Sequence, residues 1–317
     1  MIDYTYFYKE ELPIDGSSFE TEYNVFISAY NSSERVRFVY EKSQATNKTW
    51  LVFPEYNYSD EELPTNEPYY ICTGNTEADQ IIGFFESSGL VNEIENSKIS
   101  IDITGFMRPQ LAFILMYLYE KKVKKIDLIY SEPMKYKKKE NTQFSFGDVT
   151  HVKQVCGFES SPNNDTSQDV LIVGSGYDHN LIKSVCNHKE HAKVIQVLGF
   201  PSLRPDMYQE NILKASIAAN ELGDDAMYNP RFAPANDPFV TASVLSQIVK
   251  ECNDKNMITN LYLSPLSTKI QTIGFVLFFI YELKGKSSSL IFPFFDKYEQ
   301  ETSEGLHKIW KYTIEFP

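Results

Sequence analysis

The chain has 317 residues, 42% of them hydrophobic and 14% aromatic, enough to fill one large α/β unit or two domains. Its formal charge of -13 disfavours non-specific binding to duplex DNA or anionic lipid, because neutralising phosphates takes a net basic surface. The longest apolar runs, Leu111 to Tyr119 and Ile273 to Tyr281, are nine residues each. A bilayer-spanning helix needs about 20, so both read as core helices and no membrane partner is expected.

The chain opens on "MIDYTYFYKEELP", which is acidic and lacks a basic segment followed by an apolar core. No secretory signal is expected there, and a cytoplasmic location is. Residues 1–19 form a lead-in arm. From "NVFISAYNSSERVRFVYEK" to "TWLVFPEYNYSDEELP" the pattern is strand, polar loop, helix, strand and a Phe-Pro turn. A helical stretch follows ("ADQIIGFFESSG"), then the strand and turn "IDITGFMRPQ", the Leu111 helix and the strand "IDLIYSEPMKY". The eight lysines between Lys121 and Lys139 fit a solvated helix end and strand entry, or else a docking surface for a nucleic acid or an acidic partner.

The same order recurs after "SSPNNDTSQ". "DVLIVGSGYDHNLIKSVCNH" and "VIQVLGFPSLRPDMYQ" repeat the opening; "FVTASVLSQIVKEC", "LYLSPLSTKIQ", the Ile273 helix and "SLIFPFFDKY" repeat the rest. Val25 to Pro54 spans 29 positions and Val170 to Pro201 spans 31; Arg108 to Tyr136 spans 28 and Lys269 to Tyr298 spans 29. Matched spacings in matched order predict a tandem duplication, with one repeat over 20–160, a linker over 161–168 and a second repeat over 169–317. Continuous apolar strands alternating with helices predict an α/β fold: two Rossmann-like repeats with mainly parallel sheets, related by a pseudo-two-fold axis. "FGDVTHVKQVCGF" and "LHKIWKYTIEF" each follow a strand with only a loop between, so an antiparallel edge hairpin is expected in each repeat.

Ligands of open α/β sheets bind beyond the carboxyl ends of the strands. The turns at "TGFMRPQ" and "SPLSTKIQ" carry the sharpest signal. Thr104 and Gly105 are able to bring amides near an anion, and Arg108 adds a cation from the first helical turn. Ser264, Ser267 and Thr268 offer hydroxyls in the second half, with Lys269 as the cation. Phosphate recognition and plain helix capping both account for such turns. Arg204, between prolines in "PSLRPD", suits either a stiff turn or a phosphate clamp.

"IDITGFMRP" and "LYLSPLSTK" resemble the strand followed by a Thr-Gly-Gly-Thr-Lys type of turn in CARF domains, the CRISPR-associated Rossmann-fold sensors. The openings "SAYNSSER" and "GSGYDHN" resemble the first ligand-binding loop of that family, which adds Ser175 and Gly176 to the candidate set. The first half keeps Thr104 and Gly105 but has Phe-Met-Arg after them; the second keeps Thr268 and Lys269 but has Pro265 and Leu266 where glycines are expected. The resemblance implies a nucleotide-sensing or adaptor protein of antiviral defence. Its phosphate-bearing ligand, such as a cyclic oligonucleotide, would lie in a cleft between repeats and be read out by a protein partner. Two alternatives stand beside it: a metal-independent phosphodiesterase acting on that ligand, resembling ring nucleases, and a structural subunit with no small ligand.

No cofactor is called for, since a G-x-G-x-x-G fingerprint and a P-loop are both missing. Ser175, Asp178 and His179 fall together in "GSGYDHN", but a Ser-His-Asp triad is built from distant segments, and a glycine turn with Asp178 as helix cap explains them better. The five histidines form no metal set, and Cys72, Cys156, Cys186 and Cys252 lie 30 or more residues apart, as reduced core thiols do. Tyr117, Tyr119, Phe278, Phe279 and Tyr281 read as helix packing rather than a base-stacking platform.

Overall fold

The apolar runs read as strands form two β-sheets. A computed structural model describes residues 2–136, 145–146, 151–205, 207–295, 297–298 and 303–317. The chain enters through a short 3-10 turn, Tyr4–Tyr6, and strand β1 (Tyr8–Leu12). It continues as β2 (Glu22–Ala29), α1 (Glu34–Lys42), β3 (Gln44–Val52), β4 (Tyr69–Ile71), α2 (Glu77–Ser87), β5 (Ile99–Asp102), α3 (Arg108–Glu120) and β6 (Lys125–Glu132). Short strands β7 (Lys135–Tyr136) and β8 (Ser145–Phe146) lead to β9 (His151–Gln154). Next come β10 (Val170–Ser175), α4 (His179–His188), β11 (Lys193–Gly199), α5 (Met207–Ile217), α6 (Ala219–Leu222), α7 (Asp224–Tyr228) and β12 (Arg231–Ala233). The chain ends with α8 (Pro238–Lys255), β13 (Leu261–Pro265), α9 (Lys269–Phe278), β14 (Ser288–Phe294), β15 (Lys297–Tyr298), β16 (Ser303–Glu304) and β17 (Lys308–Glu315).

The first sheet runs β1-β17-β6-β5-β2-β3-β4 and the second β12-β11-β10-β13-β14-β9. The segments β4-β3-β2-β5-β6 and β12-β11-β10-β13-β14 are parallel throughout, and their order is the same. Parallel strands need crossovers; helices supply all of them except the one from β3 to β4, which runs through two short 3-10 turns. Both faces of such a sheet are covered, which is why Phe26, Ile27, Ile101, Leu128, Ile172, Val173 and Leu263 are fully buried. Helix α3 is buried from Pro109 to Leu118 and α9 from Ile270 to Phe278, as their apolar runs require. At Gly274 a side chain would meet the Pro238 carbonyl at 2.6 Å, so this glycine lets α8 and α9 close on each other.

The expected edge hairpins do not form. The strand antiparallel to β6 is β17, from the far end of the chain, and the strand antiparallel to β14 is β9, from before the second sheet begins. Strand character was legible at both positions, but an antiparallel edge accepts any chain of the right pattern. From Glu132 to His151 the connection is also far longer than a hairpin turn. The two connections pair with each other instead, β7 with β16 and β8 with β15. One compact unit accordingly takes residues 7–146 and 296–317, and the other takes 1–6 and 147–295, so the units interleave along the chain rather than following as contiguous repeats.

The arm over 1–19 is ordered in two pieces. Tyr4 is buried in the second-sheet unit, where its hydroxyl donates to Glu282 at 3.0 Å and its ring meets Tyr281 edge-on. Strand β1 extends the first sheet along β17, with Glu11 paired to Lys308 and Lys9 lying 4.5 Å from the Trp310 ring. Its charged pattern is that of an edge strand, which the apolar periodicity could not reveal. Residues 161–168 are exposed, and Asn260 holds their backbone through the Asn163 amide at 2.6 Å and the Asp165 carbonyl at 3.2 Å. No helix among the described residues is long and apolar enough to cross a membrane.

Candidate functional site

In the first sheet the chain lays β2, builds outward on one side through β3 and β4, then returns to the other side for β5 and β6. In the second it does the same with β10, β11, β12, β13 and β14. The carboxyl ends of β2 with β5, and of β10 with β13, are therefore switch points, where the chain's crossovers leave the sheet in opposite directions.

At the first switch point Thr104 and Gly105 lie in the loop after β5, and Arg108 is the first residue of α3. Thr104 is buried and its polar groups are engaged: its amide donates to Asp102 Oδ1 at 3.0 Å and its hydroxyl meets Ser131 Oγ at 3.1 Å. A side chain at Gly105 would lie 2.2 Å from the Ala29 carbonyl oxygen, so glycine is needed for the loops after β5 and β2 to touch. The Gly105 carbonyl accepts from Tyr56 at 2.9 Å. Arg108 is half-buried at the α3 start, where Pro109 occupies an early position compatible with its missing N–H.

At the second switch point the pattern of close approach is inverted. Gly176, in the loop after β10, would place a side chain 2.3 Å from the Leu266 carbonyl oxygen after β13. The glycine thus sits on the other loop of the pair. Ser175 is fully buried and accepts from Gln196 at 2.9 Å. Thr268 is the N-cap of α9: its hydroxyl accepts from the Gln271 amide at 3.1 Å and donates to the Ala235 carbonyl at 2.7 Å. Ser267 is buried beside it, and half-buried Lys269 opens the helix. Arg204 lies between β11 and α5, half-buried, with its carbonyl accepting from Ser202 and from the Met207 amide. Asp178 caps α4 by accepting from the Asn180 amide at 3.0 Å, so Ser175 and Asp178 both serve local structure.

Each switch point thus sets a cation at the first position of a helix, and the dipole of a helix start favours negative charge. Behind it in the first sheet lies a buried polar network whose members are scattered along the sequence. Asp102 is fully buried, and burial holds its carboxyl above the usual range, opposed by hydrogen bonds from Thr104 and Ser28 and by the charge of Arg35. Ser28 donates to Asp102 Oδ2 at 2.9 Å. Two glutamines were also missed, although their spacing offered a signal: Gln110 and Gln271 each stand two positions after the cation. Gln110 donates to Gln80 at 3.1 Å and Gln271 to the Ala233 carbonyl at 3.1 Å. In both, the buried Oε1 accepts no hydrogen bond from the described residues.

The aromatic residues of the long apolar helices pack. Tyr117 stacks on Phe85 at 4.7 Å, Phe278 and Phe279 are buried, and Tyr119 and Tyr281 are half-buried. Lys121 lies over the Tyr117 ring, Lys125 pairs with Glu315 and Lys135 with Glu304; Lys137, Lys138 and Lys139 lie outside the described residues. The four cysteines are free thiols, with Cys72 and Cys186 buried. No group of three or more His, Cys, Asp or Glu able to hold a metal ion occurs among the described residues. No family model, curated protein or solved structure matches the chain.

Proposed function

We propose that the protein is a nucleotide-sensing or adaptor protein of antiviral defence, with two CARF-like lobes that arose by tandem duplication. Each lobe presents phosphate-binding groups at the switch point of its sheet. In the first these are the Thr104–Arg108 loop and the start of α3; in the second they are the Ser267–Lys269 cap and the start of α9, with Arg204 alongside. The reading rests above all on one recurrence: the same parallel strand order in both sheets, followed at the same switch-point strand by a helix that begins with a cation. A duplication also explains why the two connections out of β6 and β14 behave alike, each pairing with the other and delivering an edge strand.

Titration calorimetry of the intact chain with cyclic oligoadenylates, linear oligoadenylates and mononucleotides tests the proposal. A cyclic oligoadenylate is expected to bind. Arg108→Ala and Lys269→Ala are each expected to weaken it about tenfold or more, the scale of a charge-assisted phosphate contact. Absence of heat with every compound, in a sample shown to be folded, refutes it. Incubating labelled ligand with protein in chelator separates the sensor from the phosphodiesterase: the sensor returns the ligand intact.

A further inference from the structure

The buried network behind the first switch point continues away from it. Besides meeting the Ser131 hydroxyl, Thr104 Oγ1 accepts from the Ser131 amide at 3.1 Å. The Ser131 carbonyl in turn accepts from Arg35 Nη1, and Arg35 Nε donates to Ser303 Oγ at 3.0 Å. Thr104, Ser131 and Ser303 are all buried, so water offers their polar groups little alternative. Arg35 is the second residue of α1 and Ser303 belongs to β16, the segment returning from the chain's second half to form β17. That segment is also fixed by pairing of Ser303 with Tyr136 and by the His307 amide, which donates to the Glu132 carbonyl at 2.9 Å. One guanidinium therefore bridges the strand beside the candidate ligand loop and the returning segment.

We infer that Arg35 is a positioning residue coupling the Thr104 loop to the returning segment, so that a ligand displacing Thr104 changes how firmly residues 303–310 are held. The inference rests on the reading of the loop as a ligand site for its biological use, but the coupling itself exists without ligand. It gives a sensor a mechanical output: a loop event at one strand end is expressed in a strand the second half of the chain supplies. Both ends of the relay are discrete hydrogen bonds on packed elements, the kind of connection that transmits a two-state change.

Hydrogen exchange on the intact chain tests it through peptides covering residues 303–310, with peptides of β10 and β11 as an internal control. Arg35→Gln is expected to speed exchange at 303–310 about tenfold, the scale of losing charge-assisted hydrogen bonds to buried partners, with no change in the control peptides. Thr104→Val, which removes only the hydroxyl, is expected to speed the same peptides about threefold, and that effect is expected to vanish when Ser303→Ala is already present. Ser303→Ala severs the far end alone and keeps the test valid if the Arg35 variant fails to fold. Exchange at 303–310 that ignores Thr104→Val, or responses of Thr104→Val and Ser303→Ala that simply add, overturns the relay. Cyclic tetraadenylate is the probe for its use. Heat of binding with unchanged exchange at 303–310 overturns the relay and leaves the ligand reading intact; loop coupling with no heat from any nucleotide supports the relay and removes that reading.

Discussion

Removing the last ten residues, by a stop codon after His307, should unfold the sheet built mostly from the first half of the chain. Strand β17 pairs with β6 over eight positions, from Lys308 with Glu132 to Glu315 with Lys125, and with β1 on its other side. Ile309, Tyr312 and Ile314 are fully buried, and each such side chain contributes about 1.5–3 kcal/mol. The three together stabilise by roughly 5–9 kcal/mol, against a total of about 5–15 kcal/mol for a typical domain. The truncation also removes Thr313, whose hydroxyl donates to buried Asp127 at 2.6 Å, and Trp310, whose indole donates to Glu132 at 2.7 Å. Hydrogen exchange of peptides from β2, β5 and β6 is the assay, and all are expected to lose protection. By contrast, a protease site placed in the exposed residues 161–168 should cut without separating the halves, because β9 stays with the second sheet and β17 with the first. Wild-type protection of β6 in the truncated chain, or halves that part after the cut, would refute the strand exchange.

The loop contacts at the two switch points make a second prediction. Gly105→Ala and Gly176→Ala each force a carbon against a backbone carbonyl at 2.2 Å and 2.3 Å, and each should cost about 3 kcal/mol by urea midpoint. Gly285→Ala, at positive φ with open space around it, should cost only about 1 kcal/mol, and equal losses at all three sites would contradict the packing argument. The third prediction concerns Asp102. Because burial raises its folded pKa above the unfolded value, the folded state keeps its proton while the unfolded chain ionises, so stability falls as pH rises from the usual carboxylate range toward the folded pKa. Asp102→Asn removes that penalty. Its stability relative to wild type should improve with rising pH across that window; a difference independent of pH would show that Asp102 does not titrate differently in the two states.

The sequence alone determined the elements that local pattern controls. Continuous apolar runs such as "VFISA" and "LIVGS" had to be parallel strands covered on both faces, and Leu111 to Tyr119 had to be a core helix, because nothing else buries so much apolar surface. The same logic located Arg108 and Lys269 at helix starts, since each follows a strand and turn and precedes an apolar run. Tertiary structure decided everything that depends on which partner is met. β17 and β9 carry the same strand pattern whichever sheet receives them, so their exchange is set by long-range pairing. Gly105 and Gly176 read as places for an anion, and only the fold shows a carbonyl filling the space beside each. Asp102, Ser131, Arg35 and Ser303 are far apart in sequence and individually ordinary; burial in one network is what gives them meaning, because a polar group removed from water must find its partner in the protein.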